Sequence, residues 1–349
     1  MTKCSDKNIY CGCIINLFIC FIPFLFIYKM SAMSLSNNNN NNNNNNNASS
    51  STTSSFESRT VKLAVLAREQ GEGMGARVRR SIGRPELRTL DPFLMLDEFR
   101  VALPAGFPDH PHRGFETVSY IHPDSEGIFT HEDFKGNKGN IGPGDLQWMT
   151  AGRGIVHSEV PLDRKVCRGL QLWINLKSSD KMCEPRYQEF LAKDIATAEN
   201  DGISVRIIAG EAFGVTAPTQ TKTPTTFYHF KIPANKKLEQ KIDSSFNSFA
   251  YIFSGEGYFG KEKTHCKSFF TIAFNRDGKD GLYVQTKDKP VEFVLISGKP
   301  LGEEVAWHGP FVMNKREELM EAFQDYQMGR NGFEGASRWR SQNGRRCGR

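Results

Sequence analysis

The fold of this 349-residue chain is decided by the stretch 109–116, DHPHRGFE, together with the stretch 142–159, GPGDLQWMTAGRGIVHSE. Each stretch contains two metal-ligating residue types at i, i+2 spacing, namely His110 with His112, and His157 with Glu159. On a β-strand this spacing puts both side chains on one face, roughly 6.6 Å apart. Two such strands facing each other across a barrel would bring three imidazoles and one carboxylate together. That donor set suits iron, copper, nickel or zinc better than calcium or magnesium.

Outside the two motifs, the chain has the pattern of an all-β protein. Short apolar runs such as 61–65 (VKLAV) and 169–174 (GLQLWI) are separated by Gly, Pro, Asn and Asp. The second half repeats this style at 226–232 and 249–253, and a turn is predicted at 254–257. Many short strands at such spacing indicate a sandwich or a barrel.

The C-terminal region is predicted to hold one helix and a basic tail. Within residues 315–327 the apolar side chains fall on roughly one face, which we expect to pack on a barrel; they are Leu319, Met320, Phe323 and Tyr326. Residues 330–349 contain six Arg and one acid, so they carry most of the formal charge of +6. This tail is predicted to be solvated and disordered. The rest of the chain lacks the charge of a nucleic-acid groove, so direct nucleic-acid binding is not expected.

Residues 1–58 are predicted to be an apolar segment followed by a disordered linker. Residues 8–28 are uncharged and apolar, which is just long enough for a membrane-spanning helix of about 20 residues. A cleaved signal peptide, or a translation start at Met30 or Met33, are open alternatives. The eleven consecutive asparagines at 37–47 and the Ser/Thr patch after them have nothing to bury and predict disorder.

Composition and cysteine usage indicate an intracellular protein. An apolar content of 38% and a charged content of 24% are typical of a soluble chain, and the length allows two domains. The eight cysteines form no CxxC pair, which excludes a disulfide framework and a cysteine zinc site. We therefore expect the cytoplasm or the nucleus, with membrane anchoring through residues 8–28 as the alternative.

Taken together, the two motifs have the spacing of a metal-binding cupin. The first is the His-x-His pair followed by Glu116, which would be the natural fourth ligand in a generic cupin. The second is Pro-Gly-Asp at 143–145, followed by Gly152 and then His157. The histidines of the second half stand singly, without a carboxylate at i+2, so one metal site is predicted, in the first half; these are His229, His265 and His308.

Beyond the generic cupin pattern, residues 59–338 resemble the pirin family. The matching stretches are 91–99 (DPFLMLDEF), 110–120, 144–159, 170–176 (LQLWINL), 184–188 (EPRYQ) and 308–314 (HGPFVMN). The resemblance implies two tandem cupin barrels of the jelly-roll type with a C-terminal helix. It places a metal-binding barrel at 59–198, a barrel without metal ligands at 199–312, and the helix and basic tail at 313–349.

The resemblance also implies a ligand set. Pirins hold one iron through the histidines of the HPH motif and through the His and Glu of the HxE motif, which correspond here to His110, His112, His157 and Glu159. Fe(II) is therefore the expected cofactor, and another divalent metal is the alternative. Glu116 is then an acid near the site or a structural residue, not a ligand.

Two functions follow from the resemblance. Pirins are known as quercetin 2,3-dioxygenases, which open a flavonol ring with O2, and Glu159 is the expected base for the flavonol 3-hydroxyl. They are also known as nuclear cofactors that bind transcription regulators, with the iron's oxidation state altering the contact surface. A purely structural role for the metal is the less favoured interpretation, because structural sites usually close their coordination shell. In either function we expect a monomer.

Overall fold

The computed structural model describes residues 56–348. The apolar run at 8–28 and the asparagine run at 37–47 lie outside the described residues. Within the described part, strands dominate and one α-helix is present, which confirms the predicted all-β architecture with a C-terminal helix. In this part of the chain, no helix has the length and hydrophobicity needed to cross a membrane.

The first half supplies twelve strands. They are β1 Val61–Leu66, β2 Arg68–Glu72, β3 Ala76–Ile82, β4 Phe93–Val101, β5 Phe107–His112, β6 Phe115–Ile121, β7 Phe129–Asp133, β8 Lys138–Ile141, β9 Leu146–Thr150, β10 Ile155–Pro161, β11 Cys167–Asn175 and β12 Arg186–Phe190. A short 3-10 helix at Ser178–Asp180 connects β11 to β12.

The second half supplies the remaining elements. They are β13 Ala196–Asn200, β14 Ile203–Ala209, β15 Glu211–Ala212, β16 Val215–Thr216, β17 Thr225–Ile232, β18 Lys237–Lys241, β19 Asn247–Phe259, β20 Thr264–Lys267, β21 Phe270–Phe274, β22 Gly281–Gln285, β23 Val291–Gly298, β24 Ala306–His308, β25 Phe311–Met313 and the helix α1 Arg316–Met328. Two short 3-10 helices follow α1, at Ala336–Arg338 and Gly344–Arg346.

The first barrel is made of two sheets. A seven-stranded sheet has the order β12-β9-β6-β11-β4-β3-β2, and a four-stranded sheet has the order β5-β10-β7-β8. Side chains of β6 and β11 hydrogen-bond to Glu159 on β10, so the two sheets face each other across the barrel interior. The second barrel is a ten-stranded sheet around the path β1-β21-β19-β23-β17-β14-β13. This arrangement confirms the prediction of two barrels.

The largest buried cluster lies between the barrels and holds them together. Val118 and Trp148 of the first barrel lie in one cluster with Val294 of the second, and none of the three is exposed. Phe93 and Phe249 pack edge to face with ring centroids 5.1 Å apart. Burying each such side chain contributes about 1.5–3 kcal/mol, so the barrels form one folded body.

The chain crosses from one barrel to the other in a way that the sequence did not indicate. Strand β1, inside the range predicted for the first barrel, pairs antiparallel with β21 of the second barrel.

Gly114, which follows the HPHR motif, has φ +90°, and a Cβ there would lie 1.9 Å from the Val312 carbonyl oxygen. Only glycine lets the two backbones approach so closely.

Two local predictions need correction. The turn predicted at 254–257 is instead part of β19, which continues through a register shift between Ile252 and Ser254. Gly255 has φ +77°, which suits a strand irregularity of this kind. On α1, Leu319, Phe323 and Tyr326 pack inward as predicted, whereas Met320 is 55% exposed.

The described part of the basic tail is not disordered, so that prediction is wrong. Phe333 and Ala336 are buried in a cluster with α1, and Trp339 packs against it. Arg346 donates to the Leu162 carbonyl oxygen at 2.9 Å and to Thr130 Oγ1 at 3.0 Å. The tail has apolar side chains at intervals and specific acceptors to reach, which its charge alone did not reveal.

Candidate metal centre

Strands β5 and β10 place the two motifs side by side. They are antiparallel neighbours in the four-stranded sheet, with His157 opposite His110 and Ile155 opposite His112. The expectation that the motifs face each other across the barrel is therefore wrong. Neighbouring strands lie about 4.8 Å apart, so residues on the same face of such a pair can meet directly.

Three imidazoles converge at this point in the barrel. The donor atoms of His110, His112 and His157 all lie within 4.8 Å of one another. The Nε2 atoms of His110 and His157 are 3.0 Å apart. His112 and His157 are buried and His110 is half-buried, so the cluster reaches toward solvent through His110.

The protonation of these rings suits a metal. The Nδ1–H of His110 donates to the Pro108 carbonyl oxygen at 2.8 Å, which leaves a lone pair on Nε2. Burial, together with the neighbouring histidines, lowers the pKa of His112 and of His157 well below the usual value. Neutral imidazoles with nitrogen atoms this close gain from a bound cation, so the donor set fits a divalent transition metal.

Glu159 lies in the same pocket but is held by other residues. Ser119 Oγ donates to its Oε1 at 2.6 Å, and Gln171 Nε2 donates to its Oε2 at 2.9 Å. The Oε2 atom is 4.0 Å from His157 Nε2. The structure thus brings all four predicted residues into one pocket, with the three imidazoles closest. Ser119 and Gln171 were missed, because isolated Ser and Gln residues on separate strands carry no sequence signal.

Aromatic side chains line the pocket next to His112. The Trp173 ring stands edge-on to His112 at 5.2 Å and lies 4.5 Å from the Phe115 ring. Trp307, from the segment after the second barrel, lies 6.2 Å from Trp173. Both tryptophans are half-buried. We call Trp173 and Trp307 the aromatic mouth.

Glu116 points away from this pocket. It lies three residues before Ser119 on β6, and odd separations along a strand place side chains on opposite faces. Its Oε1 accepts a hydrogen bond from Thr150 Oγ1 at 2.7 Å, and its other oxygen is buried without a partner. Burial raises the pKa of Glu116 to about 7. Of the two expected roles of Glu116, an acid near the site and a structural residue, the geometry favours the structural one.

A second histidine cluster lies between the barrels. The Nε2 atoms of His122 and His229 lie 3.2 and 3.1 Å from Glu292 Oε1. The backbone N–H of Asp124 donates to His122 Nδ1, so the ring proton of His122 is on Nε2, the atom that faces Glu292. A protonated nitrogen cannot ligate a metal. The geometry therefore favours a polar link between the barrels, built from residues too distant in sequence for spacing to reveal it.

Comparison with known proteins places this geometry in a family. The Pirin family model matches residues 75–174, and the model of the pirin C-terminal cupin domain matches residues 227–332. The chain is 55% identical over 284 residues to a pirin-like protein of Solanum lycopersicum, covering 81% of this chain and 96% of that protein. It is 51% identical over 289 residues to pirin of Homo sapiens, covering 82% and 99%.

The fold comparison agrees with the sequence comparison. A quercetin 2,3-dioxygenase from Acinetobacter baumannii, solved by crystallography, aligns with a TM-score of 0.71 at 29% identity. The alignment covers 78% of this chain and 98% of that protein. Two cupin domains, a histidine cluster in the first barrel and relatives along most of the chain point to the same conclusion. The chain belongs to the pirin family of two-domain cupin proteins.

Proposed function

We propose that this protein binds one Fe(II) in the first barrel and oxidises flavonol-type substrates with O2. The observation that carries the proposal is the convergence of three imidazoles, two of them buried, beside a buried carboxylate. His110, His112 and His157 would hold the metal, and Glu159 would complete the set. A metal bound by these residues would supply a coordination site for the substrate oxygen and for O2.

Glu159 is the residue that we assign as the base. Its carboxylate is kept in the pocket by Ser119 and Gln171, beside the imidazoles. It would accept the proton of the flavonol 3-hydroxyl group as that oxygen approaches the histidine cluster. Ser119 and Gln171 orient the two carboxylate oxygens, so they act as positioning residues for this step.

The aromatic mouth supports a planar aromatic substrate. Trp173 stands beside His112 and Trp307 lies near Trp173, and both tryptophans are half-buried. Stacked or edge-to-face aromatic contacts contribute about 0.5–1.5 kcal/mol beyond burial. A flavonol is flat and largely aromatic, so it can pack on these rings while its oxygen atoms point at the histidines. The crystallised Acinetobacter relative carries the name of the same activity.

The experiment is a combined metal and turnover measurement. Purified protein should contain close to one equivalent of iron, and iron-loaded protein should consume O2 when quercetin is added. His110→Ala and His157→Ala should lose most bound metal while keeping the folded spectrum. Full metal occupancy without flavonol turnover would overturn the dioxygenase proposal and favour a metal-dependent binding protein. A pull-down that compares Fe(II)- and Fe(III)-loaded protein would then test regulator binding.

Domain bounds, location and assembly complete the proposal. We assign the metal-binding barrel to 59–198 and the second barrel to 199–312, with two exceptions: β1 and β13 pair with strands of the second barrel, and β24 pairs with β25 in a separate sheet. The helix with the basic tail takes 313–349. We infer a monomer in the cytoplasm or the nucleus. The expected dispensability of 1–58 holds as a proposal for 1–55 only, because Phe56 packs on Gly281 and Ser58 bridges it in the second barrel. A fluorescent fusion of residues 1–58 that concentrates in membranes would overturn the location. A diffuse signal supports it.

A further inference from the structure

The last described residues lie across the outside of the sheet that carries the metal-centre histidines. Residues 341–348, which we call the C-terminal strap, contact β5, β7 and the end of β10. Ser341 donates through its hydroxyl and its backbone N–H to the carboxylate of Asp109 on β5. The backbone N–H of Gln342 donates to Glu132 on β7 at 2.6 Å.

The far end of the strap makes equally specific contacts. Arg346 donates to Thr130 Oγ1 on β7 at 3.0 Å and to the Leu162 carbonyl oxygen, just beyond β10, at 2.9 Å. The backbone N–H of Gly348 donates to the Pro104 carbonyl oxygen at 2.9 Å. Cys347 lies over Gly106, where an added Cβ would come within 2.8 Å of its sulfur. The strap is therefore packed closely against the backbone that leads into β5.

The strap contacts residues of β5 and β7 that are sequence neighbours of residues whose side chains face the barrel interior. Successive residues of a strand point to opposite faces, so Asp109 faces outward where His110 faces the metal centre. On β7, Thr130 and Glu132 flank His131, which pairs with Glu159 and shares its face. Each side-chain contact of the strap on β5 and β7 thus lies on the outer face, directly behind the pocket.

Strand β5 needs such support for a physical reason. Among the strands of residues 56–348 it pairs with β10 alone, at the edge of its sheet. Pro108 and Pro111 cannot donate to a ladder, and the pairing with β10 shifts register between His157 and Glu159. A short, proline-containing edge strand with one neighbour is weakly fixed. A metal site tolerates a displacement of only about 0.5 Å in its ligands.

We propose that the C-terminal strap positions His110 and His112 by holding β5 from its outer face. Ser341 and Arg346 are the residues that act, the first through Asp109 beside His110 and the second through β7 and the loop after β10. They are positioning residues, because neither reaches the pocket. The metal-affinity part of this inference rests on the proposed function, whereas the ordering of β5 does not.

The experiment compares the double variant Ser341→Ala/Arg346→Ala with the matched control Ser337→Ala/Arg345→Ala. Ser337 and Arg345 are exposed neighbours in the same C-terminal region. Two quantities are measured: amide hydrogen exchange of the metal-free proteins, and Co(II) affinity by competition with a chelator. Co(II) serves as the probe because it is spectroscopically visible and accepts the same donor set.

We expect the strap variant to exchange faster at β5 and β10 amides while β6 and the second barrel stay protected. Its Co(II) affinity should fall about 10- to 100-fold, as for other residues that orient ligands. The control should match the wild type in both measurements. Unchanged Co(II) affinity, an equal effect of the control, or faster exchange across the whole molecule would each overturn the inference. Should the wild type bind no Co(II), the proposed function fails, and exchange at β5 alone then decides the ordering role of the strap.

Discussion

Arg113 and Asp325 form a buried ion pair that ties the metal-binding strand to the C-terminal helix. Arg113 Nη1 lies 2.9 Å from Asp325 Oδ2, and both side chains are less than 10% exposed. Arg113 directly follows His112, and its other nitrogens donate to the carbonyl oxygens of Arg153 and Asn331. The end of the HPH motif is therefore fixed by residues more than 200 positions further along the chain.

Breaking this pair should be strongly destabilising. Asp325→Ala leaves the Arg113 guanidinium buried without its carboxylate, and losses of about 3–5 kcal/mol in the free energy of unfolding are typical of such changes. Urea unfolding monitored by fluorescence measures the change. The matched control is Glu69→Ala, which breaks the exposed Arg77–Glu69 pair and should change the free energy of unfolding far less, because solvent screens that pair. Equal effects of the two variants would contradict a buried, structural role for Arg113.

Glu116 should make stability depend on pH. Its pKa is raised by burial to about 7 in the folded protein, above the ordinary glutamate value. The folded state then binds more protons than the unfolded state between about pH 4.5 and 7, so this contribution to stability is lost as the pH rises through 7. Glu116→Gln should flatten the dependence between pH 5 and 8 and stabilise the protein at pH 8. Exposed Glu126→Gln is the control.

The same variant tests the ligand assignment. Because Glu116 points to the face opposite Ser119, Glu116→Gln should keep the metal stoichiometry of the wild type. Metal analysis of the two purified proteins is the measurement. Metal loss in Glu116→Gln without loss of fold would bring Glu116 back as a ligand, as in a generic cupin.

Ser119 and Gln171 should matter more for turnover than for metal retention. Ser119→Ala removes the donor to Glu159 Oε1 while leaving the three imidazoles untouched. Residues that orient ligands typically change affinity or activity by about 10- to 100-fold, so flavonol turnover should slow within that range. The readout is kcat of iron-matched samples. Equal kcat for Ser119→Ala and the wild type would remove Glu159 orientation from the proposed chemistry.

The fold and the four predicted site residues could be read from the sequence because their signals are local. The i, i+2 pairs and the alternating apolar runs depend only on strand geometry. The neighbours of the site were not predictable in this way. Separate strands supply the neighbours Ser119, Gln171 and Trp307. The sequence of the whole second barrel lies between Arg113 and its partner Asp325.

Two predictions that the structure contradicts, the disordered tail and the facing motifs, share one physical cause. The charge of the tail alone predicts disorder, yet its structure depends on Asp109, Glu132 and Thr130, acceptors that only the folded sheet presents. The motifs were expected to face each other, because spacing fixes the face of a strand but not its neighbour. Strand pairing is a long-range property that no short stretch encodes.

The aromatic mouth should control substrate affinity. Trp173→Leu removes the ring beside His112, and Trp307→Leu removes the ring that packs near Trp173, while each keeps an apolar side chain. Each should raise KM for quercetin about three- to tenfold, in line with aromatic contacts worth about 0.5–1.5 kcal/mol. Metal content should not change. Trp339→Leu, in the C-terminal cluster, is the control and should leave KM unchanged. A KM unaffected by both mouth variants would place the substrate elsewhere.

The central claim is that three imidazoles and Glu159 hold one iron that oxidises flavonols. The most direct measurement is the stoichiometry of O2 consumed per quercetin lost by iron-loaded protein, followed in an oxygen electrode together with the flavonol absorbance. We expect one O2 consumed per quercetin for the wild type, and we expect His157→Ala to lose this activity together with the metal. Fully iron-loaded wild-type protein that consumes neither O2 nor quercetin would contradict it.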